Sequence, residues 1–477
     1  MDCLAMLDHS INGAEELKAW LDHHSVSRIR TMATDLHGQP IGKYLHRDKF
    51  ESALPKAHAF SDLALSADLG GTPHLTFWHP FRTSMLGDIA LKPDLSTLTL
   101  DAHQEGLAHV IGQFVQMDGE PITLCPRTQL IHLCKQLNAR NLDLLTSMEL
   151  EFFLLESSYD SIRASDYAGL MPRTLTSLQS IYTLRDAHRA TPFMDAVTQT
   201  LEKMNIAWEA WSDENGTGQI ELNLPPAPPV QMADTVMRVK QVIFETACRQ
   251  GLAASFMPQI KPGHASGMHI HHSLLGSSGN GEASITPLLM DPNQRYQLSR
   301  LASHWIGGLY QHLPASVSML CPSVNSYRRL RDFSAAPLRQ SWGIDHKSAA
   351  LRVLTPSPSA ARIEHRLGSS DLNPYLALAL IIASGLSGLD PNAELPPPMS
   401  STGWGSEPSA TDLPSDMVLA AERLSSDTRL RHYLGEEEVK YWLKSRRHEW
   451  LSYQEQSSEA DRSRPTLWEF ERGFAKL

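Results

Sequence analysis

The sequence predicts an α+β chain of two domains: a small strand-rich one over residues 1–124 and a larger mixed one over residues 125–477. Three observations carry that reading. At 477 residues the chain is long enough for two or three domains and a large core. Its first 120 residues read as short strands with one or two helices, one of them leading the domain. Beyond residue 124, Pro126-Arg127 opens a helix with proline at the favoured first position, and longer strands and helices follow.

Residues 27–34 are β-rich and end in the turn Asp35-Leu36-His37-Gly38, with Gly42-Lys43 beyond it. Asp118-Gly119 is a hairpin signal ahead of Pro121-Ile122. The helix opened by Pro126 is expected to run to about Ala139. Residues 142–156 read as a strand, 157–190 as loop-rich, and 186–204 as a helix. Two strands around Gly216 and Gly218 fill 208–224 and stop at Pro225-Pro226-Ala227-Pro228-Pro229. Met232, Val236, Val239, Ile243 and Ala247 then recur at helical spacing, with Gly251 just past the end, which marks a core helix. Ser266-Gly267-Met268-His269-Ile270-His271 reads as a strand. Asn373-Pro374 supplies a helix cap and a first-turn proline before a strongly apolar run. Residues 390–415, rich in Pro, Ser and Gly, read as a surface linker or long loop, and a Glu/Arg-rich helical tail closes the chain.

Composition narrows the function classes. A formal charge of −11 argues against a general nucleic-acid binder, which would show a basic face. No 18-residue apolar run is present, so no membrane span is predicted. The N-terminus lacks a cationic segment followed by a continuous apolar one. Five cysteines, at 3, 125, 134, 248 and 321, are odd in number and form no CxxC pair, so no disulfide framework is expected. The expected compartment is the cytosol.

Four segments carry chemistry. Strand alternation places His269 and His271 on one face and Ile270 on the other. Glu149 and Glu151 share a strand face in the same way, and the apolar Phe152-Phe153-Leu154-Leu155 that follows argues for burial rather than a solvated edge. Glu214 and Glu221 flank a glycine-rich segment whose plain reading is a hairpin turn. Glu364 lies between Arg362 and Arg366. Buried acids need cationic partners, and a metal ion would supply them. The two histidines also fit hydrogen-bonded core positions; they evoke zinc sites, but no third histidine follows at suitable spacing. Arg328, Arg329, Arg339, Arg352, Arg362 and Arg366 fall close together, and surface positions are the default for arginine. Arg352 and Arg362, however, alternate with Leu351, Val353, Ala361 and Ile363, as inward-pointing arginines on strands would. Guanidinium forks match phosphate and carboxylate. Carboxylate clusters with such arginines suggest phosphoryl transfer over a divalent-metal pair.

These segments, in this order and over nearly the whole chain, resemble the glutamine synthetase family. The resemblance includes Thr34-Asp35-Leu36-His37-Gly38, Lys92-Pro93-Asp94, Glu149-Leu150-Glu151, Gly218-Gln219-Ile220-Glu221, Phe256-Met257-Pro258 and the His269 strand. It continues through Asn325-Ser326-Tyr327-Arg328-Arg329-Leu330, Arg362-Ile363-Glu364-His365-Arg366 and Asn373-Pro374-Tyr375-Leu376. Ser341-Trp342-Gly343 and Leu430-Arg431-His432-Tyr433-Leu434-Gly435 look most like the γ-glutamylpolyamine synthetase branch. The resemblance implies an N-terminal β-grasp domain and a catalytic domain on curved antiparallel strands. It also implies a homo-oligomeric ring, usually a dodecamer.

Carried over by position, it implies that Glu151, Glu214 and Glu221 hold one Mg²⁺ or Mn²⁺, and Glu149, His269 and Glu364 a second. Oxygen-rich ligation with one imidazole suits Mg or Mn better than zinc. It implies Arg329, Arg366 and Gly267 for binding glutamate, and His271, Ser273, Lys347, Arg352 and Arg362 for ATP and its phosphates. The implied chemistry is ATP-driven phosphorylation of the glutamate γ-carboxylate, followed by displacement by an amine.

The amine side departs from the family pattern. A flap glutamate that helps bind ammonium is replaced by Ala335, in Arg329-Leu330-Arg331-Asp332-Phe333-Ser334-Ala335. The Asp-Gly-Ser-Ser loop that completes the ammonium site has no counterpart near residues 58–70. A phosphate-side arginine becomes Lys347, which keeps charge but not the fork. His264-Ala265 replaces a glycine-rich lead into Ser266-Gly267. The expectation is a pocket opened for a larger amine, lined by Phe333, Ala335 and Trp342, with an alkylamine or polyamine as acceptor and an arylamine as the alternative. A conventional glutamine synthetase and a non-catalytic relative are the further alternatives.

Overall fold

The structure is a computed structural model that describes residues 11, 13–73, 86–175, 178, 181–276, 286–331, 334–390, 393–400, 412–457 and 464–476. Among these, five strands build an N-terminal sheet: β1 (Arg28–Thr34), β2 (Pro40–His46), β3 (His58–Ser61), β4 (Asp88–Leu100) and β5 (Leu107–Val115). Their order is β2-β1-β5-β4-β3, antiparallel except for the parallel β1–β5 pair. The β1–β2 connection is the predicted turn: the Asp35 carboxylate accepts from the His37 and Gln39 amides, and Gly38 takes the left-handed conformation.

The second sheet holds β6 (Leu142–Leu155), β7 (Ala210–Asp213), β8 (Gln219–Asn223), β9 (Ala253–Ser255), β10 (Met268–Gly276), β11 (Thr286–Pro287), β12 (Trp342–Ile344), β13 (Leu351–Leu354) and β14 (Arg362–His365). Its main order is β12-β13-β14-β10-β6-β8-β7, with β11 beside β10 and β9 beside β6. One face is apolar: Leu150, Phe152, Ile270, Leu351, Val353 and Ile363 are buried in the main core. Helices cover that face, among them Leu184–Lys203, Pro229–Gln250, Arg300–Leu320 and Pro374–Leu389. Such layering leaves the other face for polar side chains.

Most sequence expectations hold in place and type. The Pro126–Asn138 helix, the helix closed by Gly251 and the helix capped by Asn373 are present, with the Asn373 side chain accepting from the Tyr375 and Leu376 amides. Two corrections arise. Residues 157–190 are not all loop, because Tyr159–Ala164 is helical and the next helix already begins at Leu184. The apolar helix Arg300–Leu320 has no counterpart in the sequence reading; Gly307-Gly308 and Pro314 interrupt its pattern. Those glycines permit close packing: a Cβ on Gly308 would lie 2.6 Å from the Gly388 Cα of the Pro374–Leu389 helix. The four described cysteines, Cys125, Cys134, Cys248 and Cys321, are free thiols, as expected.

The N-terminal sheet is bound to the rest of the chain at specific points. Asn373 donates to the carbonyls of Asp35 and Leu36. Arg127 spans Asp94 of β4 at 2.7 Å and Asp234 of the Pro229–Gln250 helix at 2.9 Å. No described helix is long and apolar enough to cross a membrane.

Candidate active site

Strand register assembles the site. His269 pairs with Glu149, Glu151 with Glu221, His271 with Glu364, and Glu364 with Arg352. Directly opposed residues share a face, so β13, β14, β10, β6 and β8 project these groups to the side opposite the core. Alternation adds Ser273 on β10 and Arg362 on β14.

The side chains meet closely. Glu149 accepts from both imidazoles, His269 Nδ1 at 3.0 Å and His271 Nε2 at 2.9 Å. His269 Nδ1 lies 3.9 Å from Glu151 and 3.8 Å from Glu364. Glu364 is almost wholly buried, with Arg352 at 2.9 Å on one oxygen and Arg366 on the other. Glu151 accepts from the Gly267 amide at 2.6 Å and from Gln219 at 2.8 Å.

The electrostatics divide the carboxylates. Burial would raise Glu149, but hydrogen bonds from His269 and His271 prevail and hold it well below its ordinary value. Glu364 is likewise lowered, as His269 and Arg366 outweigh burial. Among the described residues, Glu214 and Glu221 have no imidazole or guanidinium partner. Burial, then repulsion from Glu151, pushes Glu214 up to about 7. Burial and the charges of Glu149, Glu151 and Glu214 push Glu221 up to about 9. Carboxyls so displaced are short of positive charge, which is the condition a divalent cation relieves. Ligand atoms of Glu149, Glu221 and His269 lie within 4.8 Å of one another, as do those of Glu149, His271 and Glu364. The residues present, carboxylate oxygens with an imidazole, thus fit a divalent cation.

The remaining predicted residues are placed as follows. Arg329 is buried, donating to the carbonyls of Leu367 and Arg366, and it lies against Gly267, where a Cβ would come 2.7 Å from its Nη2. Ser273 donates to the Ala361 carbonyl and Arg362 to that of Ala360. Lys347 is exposed in the turn after β12. Ala335 is exposed in a turn, with a left-handed φ of 61°. Phe333 lies outside the described residues. Trp342 lies away from the carboxylate cluster. Its register partner is Leu351, so it points to the core face, where its indole donates to the Pro396 carbonyl and meets Tyr296 edge-on.

Three participants escaped the sequence reading. Gln219 and Asn223 flank Glu221 at alternate positions, and their amides donate to Glu151 and Glu221. The alternation on β8 was the available signal, obscured by the glycines before it. Tyr182 is exposed at the edge of the acidic cluster; partial burial and then the charges of Glu214, Glu221 and Glu149 raise its phenol. Nothing in its local sequence marks it.

Comparison with known proteins agrees with this geometry. Residues 123–465 match the family described as glutamine synthetase, catalytic domain. A glutamate–isopropylamine ligase of Pseudomonas sp is 30% identical over 380 residues, covering 79% of this chain and 80% of that protein. The γ-glutamylputrescine synthetase PuuA of Escherichia coli K12 is 28% identical, covering 88% of each chain. A solved structure of GmaS without ligand aligns with a TM-score of 0.79 at 23% identity, covering 94% of this chain and 98% of that one, and shares the fold. The chain belongs to the glutamine synthetase family and is an ATP-dependent carbon–nitrogen ligase.

Proposed function

We propose that the protein joins the γ-carboxylate of L-glutamate to an alkylamine or polyamine: L-glutamate + ATP + R-NH₂ gives γ-glutamyl-NH-R + ADP + phosphate. Glu151, Glu214 and Glu221 would hold one Mg²⁺ or Mn²⁺, and Glu149, His269 and Glu364 another. When bound, such ions neutralise phosphate charge during transfer. Arg352, Arg362 and Lys347 hold the ATP phosphates, while His271 and Ser273 line the nucleotide side. Arg329 and Arg366, beside Gly267, orient glutamate so that its γ-carboxylate faces the terminal phosphate. Positioning and charge stabilisation account for the first step. Acyl phosphate formation replaces a poor leaving group with a good one, which the amine nitrogen then displaces.

The observation that carries the acceptor reading is Ala335. At the place of a family carboxylate stands a methyl group on an exposed turn. An ammonium ion would lose hydration there without gaining an anionic partner. A substituted amine recovers apolar contact instead. The isopropylamine and putrescine relatives support this class. The same apolar position favours aniline as the second reading. We extend the proposal to domains over residues 1–124 and 125–477 and to a dodecameric ring, as the family resemblance implies.

The test is glutamate- and Mg²⁺-dependent ADP release with ammonium, putrescine, ethylamine, isopropylamine and aniline. Turnover with an alkylamine or putrescine well above ammonium is expected. Aniline ahead of both moves the acceptor to arylamines. Ammonium ahead of all makes the protein a conventional glutamine synthetase, and silence with every amine makes it a non-catalytic relative.

A further inference from the structure

Behind the site lies a carboxylate that neither the ligand set nor the substrate grip uses. Asp371 is fully buried. Its Oδ2 accepts from Ser323 Oγ at 2.5 Å and Ser326 Oγ at 2.8 Å, and its Oδ1 from Ser326 at 3.0 Å and from Ser369. Among the described residues no cation lies within ion-pair distance of it. Burial raises the Asp371 carboxyl above its ordinary value, and the hydrogen bonds from Ser323, Ser369 and Ser326, with the charge of Lys240, oppose that rise.

The segments it joins are the informative part. Ser323 and Ser326 close the turn before Arg328-Arg329, where the Arg329 amide donates to the Ser326 carbonyl. Ser369 follows Arg366-Leu367-Gly368, the stretch whose carbonyls receive the Arg329 guanidinium. That stretch is also tied to the Gly267 strand, through Met268 N to Gly368 O and Ser370 N to Ser266 O. Asp371 therefore clamps the turn that delivers Arg329 to the strand end that delivers Arg366. Its charge also reaches Arg329 and the buried Lys240, neither of which has a carboxylate within ion-pair distance among the described residues. Burial depresses both cations; for Lys240 Asp371 opposes that depression, and for Arg329 Glu151 opposes it first, with Asp371 adding to it.

We propose that Asp371 is a positioning residue for glutamate: by clamping the two segments together it fixes the spacing of Arg329 and Arg366, and its charge adds to that of Glu151 near the Arg329 guanidinium. The inference rests on the reading of those two arginines as the glutamate grip. Arg352 and Arg362 come from β13 and β14 and make no contact with Asp371, so the nucleotide side is expected to be spared.

The test is Asp371→Asn, which keeps the shape and removes the charge. The expected result is a rise in KM for glutamate of about tenfold or more, with KM for ATP changed by less than about twofold. Asp371→Glu is expected to recover part of the loss, because it restores the charge. Should Asp371→Asn fail to fold, Ser323→Ala removes one donor and leaves the charge, and a smaller glutamate-selective rise is expected. The proposal is overturned if folded variants leave the glutamate KM unmoved, or if both KM values shift alike. A wild-type protein that releases no ADP with glutamate would instead sink the underlying reading of the site.

Discussion

At the scale of single residues, the site divides its acids into two held low by imidazole or guanidinium partners, Glu149 and Glu364, and two pushed up by burial and repulsion, Glu214 and Glu221. Glu221 has an ordinary value of 4.5 and is held at about 9 in the folded chain. For a carboxyl raised on folding, the stabilising contribution is complete below the unfolded value and is lost as pH climbs through the folded one. Glu149 and Glu364 are lowered instead, so their contributions are lost only in acid. The metal-free protein should therefore lose melting temperature between about pH 4.5 and pH 9, and added Mg²⁺ or Mn²⁺ should raise it more at the alkaline end. Thermal melts with and without metal check this, and a metal effect independent of pH would contradict it. Glu221→Gln should flatten the alkaline loss and lower ADP release by about a hundredfold or more. Gly267→Ala is a second probe. Its methyl would sit 2.7 Å from Arg329 Nη2 in a packed setting, so the arginine must move. A cost of about 1–3 kcal/mol in denaturant unfolding is expected, together with weaker glutamate saturation.

At the scale of elements, legibility followed periodicity. Two His on β10 and two Glu on β6 each alternate with apolar residues, so their faces could be read before any pairing was known. The pairing of His269 with Glu149 and of His271 with Glu364 is non-local, and no sequence pattern states it. Trp342 shows the limit. Its strand is three residues long and pairs in parallel at the sheet edge, so nothing in the local sequence states its register or the core face it takes. The Arg300–Leu320 helix was missed for a related reason, since residues that interrupt its pattern serve close helix contact. That helix is also held by a polar relay: His312 Nδ1 meets Asp427 at 2.5 Å, and Nε2 meets Ser387 at 2.9 Å. His312→Ala opens space in the core, takes the imidazole from the buried Ser387 and from one oxygen of the half-buried Asp427, which keeps the Leu430 amide, and should cost about 2–5 kcal/mol of stability. Equilibrium unfolding reads that value, and a neutral result would show the relay to be dispensable.

At the scale of the whole molecule, the division of labour follows the sheet. Its inner face packs against helices and fixes strand register, while its outer face carries every proposed metal ligand except Glu214, which sits in the turn between β7 and β8. Activation of glutamate therefore depends on a rigid surface. In the proposed reading the acceptor side depends on turns, Ala335 among them, where chemistry can change without disturbing the core. This separation explains how one catalytic face can serve different amines. The measurement that tests the account most directly is a competition: the protein is given glutamate, ATP and Mg²⁺ with equal concentrations of ammonium and isopropylamine, and the products are identified by mass spectrometry. The account predicts γ-glutamylisopropylamide in excess over glutamine. Glutamine as the dominant product would contradict it and restore the ammonium pocket that Ala335 is held to have opened.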